Sequence, residues 1–210
     1  PFVAIIGGAK VSDKIGVLEN LIEKVDILIV GGGMAFTFIR AMGFGTGSSL
    51  CETEMLDTAK NIMTKAAAKK VQLCLPLDCV VAEKAATDTE IKVCKISEIP
   101  NNWIGLDIGP QTISSFADAV KDVKTVIWNG PMGMFELEPF SRGTFSIAAS
   151  VAASGALSII GGGDTGLAVE RAGVSEKISY ISTGGGAFLE LLEGKTMPAI
   201  EALEKNGGNT

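Results

Sequence analysis

Short apolar runs along the chain each end in a glycine-rich turn, and each turn is followed by a stretch of mixed apolar and polar character. Val3-Ala4-Ile5-Ile6 runs into Gly7-Gly8-Ala9-Lys10, and Ile27-Leu28-Ile29-Val30 into Gly31-Gly32-Gly33-Met34. Val126-Ile127-Trp128 meets Asn129-Gly130-Pro131, Leu157-Ser158-Ile159-Ile160 meets Gly161-Gly162-Gly163-Asp164-Thr165, and the run from Ile178 to Thr183 meets Gly184-Gly185-Gly186-Ala187. Continuous apolar runs of this length, bounded by glycines, predict strands buried on both faces. The segments between them carry helical spacing, as in Ile15, Leu18, Leu21, Ile22 and Val25. Helices are expected over 11–25, 35–42, 52–70, 111–121, 140–153, 167–172, 188–193 and 199–205.

Repetition of strand, glycine turn and helix points to an α/β protein. In a parallel sheet the carboxyl ends of the strands share one edge, and ligands bind in the crevice outside it. The glycine loops are therefore expected to converge on one site. The middle of the chain is less regular. A strand is expected over 71–76, extended or restarted at 80–82, and Trp103 to Pro110 reads as a strand and turn. Residues 85–102, with one weak strand at 91–94, read as a charged surface elaboration without chemistry of its own.

Composition narrows the function classes. Hydrophobic residues make up 47% of the chain and mean hydropathy is +0.36, which fits one globular core. No apolar run reaches the roughly 18–20 residues of a membrane span. The formal charge of −6, with arginine only at 40, 142 and 171, lacks the basic stripe of a nucleic-acid surface. Without histidine, chemistry must rest on Lys, Asp, Glu and backbone dipoles. Cys51, Cys74, Cys79 and Cys94 show no C-x-x-C spacing, so neither a disulfide nor a zinc framework is expected. Cys74 and Cys79 are expected to pack as small hydrophobes in a reducing cytoplasm. The opening Pro1-Phe2-Val3-Ala4 reads as neither signal nor transit peptide and looks like a cut end.

The loop at Gly161-Gly162-Gly163-Asp164-Thr165 admits two readings. Free N–H groups at a new helix favour an anion such as phosphate, and Asp164 beside them suggests a shared Mg²⁺. Alternatively, Asp164 or Thr165 is an ordinary N-cap. Lys10 and Lys14, one turn apart at the start of the helix expected over 11–25, oppose its dipole unless a polyphosphate or a salt bridge to Asp13 or Glu19 offsets them. Gly105 leaves room for a flat ligand against the backbone, or belongs to a plain turn. Glu136 suits ribose hydroxyls and Met134 an apolar pocket, unless Glu136 is merely solvated. No Gly-x-x-x-x-Gly-Lys-Ser/Thr and no Gly-x-Gly-x-x-Gly occurs, so the Walker and dinucleotide readings are rejected.

Five motifs in order carry a resemblance. Gly7 to Ile15, Gly31 to Phe38, Trp128 to Gly133, Gly161 to Thr165 and Ser182 to Ala187 together resemble the carboxy-terminal domain of phosphoglycerate kinases, over residues 1 to about 203. The resemblance implies a Rossmann-like three-layer αβα fold with a six-stranded parallel sheet. It also implies a cytoplasmic, monomeric glycolytic enzyme that transfers phosphoryl between 1,3-bisphosphoglycerate and MgADP, giving 3-phosphoglycerate and ATP. On it, Lys10, Gly163 and Gly184, Gly185 and Gly186 would serve the transferring group. Lys14, Asn129, Thr165 and the Gly161, Gly162 and Gly163 backbone would hold phosphates, and Asp164 the Mg²⁺. Gly32, Gly33, Gly105, Leu106 and Met134 would enclose adenine, Glu136 the ribose, with Gly8, Ala9 and Pro131 also in the nucleotide site.

The resemblance also implies what is missing. The basic amino-terminal substrate domain is absent, so this chain alone would be nearly inactive, and residues 195–210 would form a tail packing on that domain. Phe188 stands where a small polar residue is expected, and Met134 where valine is usual. A non-catalytic nucleotide-binding or scaffold module retaining the fold is the alternative.

Overall fold

A computed structural model describes residues 1–196, and in it each central strand sends alternate side chains to opposite faces. The strands are β1 (Phe2–Ile6), β2 (Ile27–Val30), β3 (Gln72–Cys74), β4 (Asp78–Ala82), β5 (Ile91–Lys95), β6 (Ile104–Ile108), β7 (Thr125–Asn129), β8 (Leu157–Gly161) and β9 (Tyr180–Ser182). The helices are α1 (Ile15–Ile22), α2 (Ala35–Ala41), α3 (Leu56–Ala68), α4 (Pro110–Val120), α5 (Arg142–Ala153), α6 (Gly163–Arg171) and α7 (Gly185–Leu192).

Six strands form one parallel sheet in the order β3-β2-β1-β7-β8-β9. Ala4, Ile6, Leu28 and Val30 face a core with Val17, Leu18, Leu21 and Ile22 of α1, Ile62 of α3 and Phe188 of α7. Val3, Ile5, Ile29, Val126, Trp128 and Ile160 face the other way, onto Phe116 of α4, Ile147 and Val151 of α5 and Val169 of α6. That alternation is the reason for three layers, since strands apolar on both faces need a helical cover on each. Each fully buried Ile or Leu contributes roughly 1.5–3 kcal/mol relative to exposure.

The middle of the chain departs from expectation. β4, β5 and β6 leave the parallel sheet and make a separate antiparallel one in the order β5-β4-β6, with a register shift at Val80/Val81. Cys79 and Val81 of β4, with Ile99 and Trp103 from the connection between β5 and β6, pack against Phe36 and Ile39 of α2. The excursion read as a bare surface elaboration thus supplies β5, the outer strand of this sheet. The helix expected over 199–205 lies outside the described residues.

Candidate functional site

The loops after β1, β2 and β7 are bolted together by their backbones. Gly7 N–H donates to the Asn129 carbonyl at 2.9 Å, Gly8 N–H to Pro131 at 3.2 Å, Gly32 N–H to Met132 at 3.2 Å, and Met34 N–H to Gly8 at 3.0 Å. The loop after β8 joins through side chains: Asn129 Nδ2 donates to the Gly161 carbonyl, and Gly130 N–H to Thr165 Oγ1, both at 2.7 Å. The fifth loop, before α7, lies against the fourth, so that a Cβ on Gly185 would stand 3.6 Å from Gly162 Cα. All five glycine loops therefore meet at the carboxyl edge of the sheet.

Beside them opens a cleft of about 330 Å³. Gly8, Ala9, Gly32, Gly33 and Pro131 line it from the loops of the parallel sheet, and Gly105 and Leu106 from β6; Met134, Glu136 and Asp164 complete the predicted members. Phe36, Leu50 and Asp107 also line it and were not singled out from sequence. A larger, more open hollow of about 660 Å³ lies by Pro1, Ile27, Gln72 and one side of α4. Its lining is polar and acidic, with Gln72, Gln111, Asp118 and Asp122 but no glycine loop and no lysine, so the smaller cleft among the loops is the candidate site.

Lys10, Lys14, Asn129, Thr165, Gly161, Gly162, Gly163, Gly184, Gly185 and Gly186 are not among the residues that line the cleft. Helix α6 begins at Gly163, two positions after the strand ends, with Gly162 (φ +100°) making the turn. Asp164 and Thr165 are thus in its first turn and are not N-caps. A preceding glycine run reads as a breaker, but glycine is tolerated at the first helical position. Asp164 is exposed and makes no hydrogen bond or ion pair among the described residues. Thr165 is buried, its hydroxyl engaged with Gly130.

Lys10 and Lys14 do not share a helix face. Helix α1 starts only at Ile15, after a tight turn in which Lys14 N–H donates to the Val11 carbonyl at 2.9 Å; the Glu52 carboxylate holds this turn, accepting from Val11 N at 2.6 Å, Ser12 N at 3.2 Å and Ser12 Oγ at 2.5 Å. Lys10 is therefore exposed on the loop, and Lys14 is the residue before the helix. Lys14 Nζ donates to Asn129 Oδ1 at 2.5 Å, with no carboxylate within ion-pair distance among the described residues. Burial pushes the Lys14 ammonium below the usual lysine range, against the opposing pull of Asp13 and Glu193. Glu52→Gln, which keeps one acceptor oxygen of two, is expected to cost about 1–3 kcal/mol in chemical denaturation. Amide exchange at Val11 and Ser12 should speed up in the same variant.

Two glycines are explained by packing. The place a Gly105 side chain would take is filled by the Phe36 ring, so the missing Cβ admits Phe36 and not a ligand on that side. Gly161 likewise lies under the Phe188 ring. Phe188 is 6% exposed and belongs to the core, which accounts for an aromatic where a small polar residue was expected. Gly163 and Gly186, by contrast, have open space where a Cβ would stand. No protein atom requires glycine there.

Fold and site define the chain as a doubly wound α/β domain with glycine loops and two helix N-termini gathered beside one cleft. The sequence profile described as Phosphoglycerate kinase matches residues 1–195. The chain is 58% identical over 207 residues to a phosphoglycerate kinase of Citrifermentans bemidjiense, covering 99% of this chain and 52% of that protein. It is 57% identical over 207 residues to a cytosolic phosphoglycerate kinase of Nicotiana tabacum, covering 97% and 52%. The solved phosphoglycerate kinase of Coxiella burnetii superposes with a TM-score of 0.95 at 49% identity, covering 98% of this chain and 53% of that one. This chain belongs to the phosphoglycerate kinase family, and it spans about half the length of the curated relatives it matches. Among the described residues, no helix is long and apolar enough to cross a membrane.

Proposed function

We propose that the chain is the nucleotide-binding, carboxy-terminal half of a phosphoglycerate kinase, acting in the cytoplasm as a monomer. It holds ADP or ATP with Mg²⁺ for reversible phosphoryl transfer between 1,3-bisphosphoglycerate and ADP, giving 3-phosphoglycerate and ATP in glycolysis. The observation that carries this reading is the N-terminus of α6, whose Asp164 lines an apolar cleft, with the N-terminus of α7 packed against the loop that opens α6. The first N–H groups of a helix have no partner within it, and with the dipole they make an anion site. Gly163 and Gly186, glycine without a packing reason, suit a phosphate chain that touches backbone.

Adenine fits the apolar end, between Gly32-Gly33 and Leu106 with Met134, and Glu136 accepts from the ribose hydroxyls. Lys14, held by Asn129, offers its ammonium to the phosphate chain, and exposed Lys10 reaches the transferring group. Asp164 is a suitable single carboxylate for Mg²⁺, which is commonly bound through one or two carboxylates together with substrate phosphates and water. Among the described residues no group of three or more His, Cys, Asp or Glu side chains could hold a metal alone, so the nucleotide must complete the site. When bound, Mg²⁺ neutralises charge on the phosphoryl oxygens. Lys10 and the glycine amides act in the same sense, because a loose phosphoryl-transfer transition state needs positioning and electrostatic support and no side-chain nucleophile. Phosphoglycerate is held by the half of the enzyme that this chain does not include, so turnover requires both halves.

Titration calorimetry tests the reading. MgADP is expected to bind saturably, and Asp164→Ala to weaken it by about tenfold or more while leaving metal-free ADP nearly unaffected. No heat from wild type at millimolar MgADP would refute it.

A further inference from the structure

β4 and β5 place two thiols opposite each other. Cys79 and Cys94 are register partners in the antiparallel ladder, with Sγ atoms 3.9 Å apart. Ile96 N–H donates to the Leu77 carbonyl, so Leu77 and Ile96 are a hydrogen-bonded pair, and two positions on Cys79 and Cys94 are as well. Such a pair holds its Cα atoms about 5.5 Å apart, within the range a disulfide spans. Closing the remaining gap takes side-chain rotation together with a small approach of the two strands, because a hydrogen-bonded pair holds its Cβ atoms somewhat wider than a disulfide does.

The two thiols differ in access. Cys79 is 1% exposed in the cluster with Phe36, Val81 and Trp103, and it also lines the cleft. Cys94 is partly exposed. The other cysteines, Cys51 and Cys74, have no cysteine within hydrogen-bond distance among the described residues.

We propose that Cys79 and Cys94 form a reversible dithiol–disulfide site, oxidised by small disulfides through thiol exchange. The Cys94 thiolate attacks one sulfur of the small disulfide, forming a mixed disulfide and releasing one small thiol. The Cys79 thiolate then attacks Cys94 Sγ, forming the Cys79–Cys94 bond and releasing the second. Two protein thiols lose two protons and two electrons, and one small disulfide is reduced to two thiols. Burial raises the pKa of both protein thiols, so the exchange is slow near neutrality and speeds up with pH, by about tenfold per pH unit while the attacking thiol remains mostly protonated. The closed bond would join the outer strand of the antiparallel sheet to β4, whose other neighbour, β6, forms a wall of the cleft. This inference does not depend on the nucleotide reading.

The test is to incubate the reduced, folded chain with oxidised glutathione at mildly alkaline pH, quench in acid, alkylate the remaining thiols and map peptides without reduction. A Cys79–Cys94 cross-link, lighter by two hydrogens and opened by dithiothreitol, is expected as the main product. Cys79→Ser should stop at a glutathione adduct on Cys94, and Cys94→Ser should leave Cys79 unmodified, with circular dichroism showing both variants folded. Wild type that keeps a stable glutathione adduct on Cys94, or that links either residue to Cys51 or Cys74, overturns the proposal. So does Cys94 that remains a free thiol throughout.

Discussion

Gly7→Ala is expected to destabilise the fold by about 3 kcal/mol or more, because the new methyl has nowhere to go. A Cβ on Gly7 would fall well inside van der Waals contact distance of the Pro131 carbonyl oxygen and 2.7 Å from Met132 Cε, with the Gly130 carbonyl oxygen at 2.5 Å. Two of these three neighbours are backbone and cannot rotate aside. The crowding is mutual, since a Cβ on Gly130, at φ +93°, would run into the Gly7 carbonyl. At this junction two main chains touch with no side chain between them, and the hydrogen bonds from Gly7 to Asn129 and from Gly8 to Pro131 depend on that approach. Separating the chains would break those bonds and pull the β1 loop out of the cleft wall. Gly163→Ala is the control: its Cβ meets nothing within 4 Å, so a change below about 1 kcal/mol is expected. Urea denaturation of both variants checks the pair, and equal midpoints would show that the junction relaxes freely. On the proposed function the order reverses for binding: Gly163→Ala, stable and folded, should lose affinity for MgADP.

That contrast also shows what the sequence could and could not reveal. Runs such as Val3 to Ile6 and Ile27 to Val30 disclosed their structure because an unbroken apolar strand has one stable setting, a parallel sheet covered on both faces. Loop positions followed from the same rule. What stayed hidden depended on contacts between distant residues. Cys79 to Ala82 is an apolar run like the others and Ile104 to Ile108 is one broken by Gly105 and Asp107, and nothing local indicates that they pair antiparallel with each other instead of joining the main sheet. The chain from residue 11 to Lys14 forms a turn instead of the first turn of α1, and it is tied down by Glu52, some forty positions away. Glycine proved ambiguous: at Gly105 and Gly161 it makes room for Phe36 and Phe188, whereas at Gly163 and Gly186 it makes room for nothing in the protein. Only the folded structure separates those cases.

Asp107 should make stability fall as pH rises from about 4 to about 7. Its carboxyl is 4% exposed beneath the cleft, in a space left by the absent side chains of Gly133 and Gly143. Oδ2 accepts from Gly143 N at 2.7 Å and Oδ1 from Ile108 N at 2.9 Å. Those bonds favour the charged form, but burial outweighs them and pushes the pKa from an ordinary 3.8 up to about 7. A carboxyl with a folded pKa above its unfolded one holds its proton more tightly when folded. Its contribution is complete below about 3.8 and is lost as pH climbs through about 7. The whole shift corresponds to about 4 kcal/mol.

Asp107→Asn isolates this effect, since distant carboxylates titrate alike in both proteins and cancel in the difference. Asparagine is neutral at every pH but offers one acceptor oxygen where aspartic acid has two, so either the Gly143 or the Ile108 amide loses its partner. At pH 4 the variant should be the less stable by about 1–3 kcal/mol. Between pH 4 and 8 that gap should close and then reverse, because only wild type pays to bury a charge. Urea denaturation across this range reads the crossing directly. A gap independent of pH would place the titration of Asp107 in the ordinary carboxylate range. If instead the two amides outweighed burial, the folded pKa would lie below 3.8 and the gap would change only below about pH 4, shrinking as pH falls.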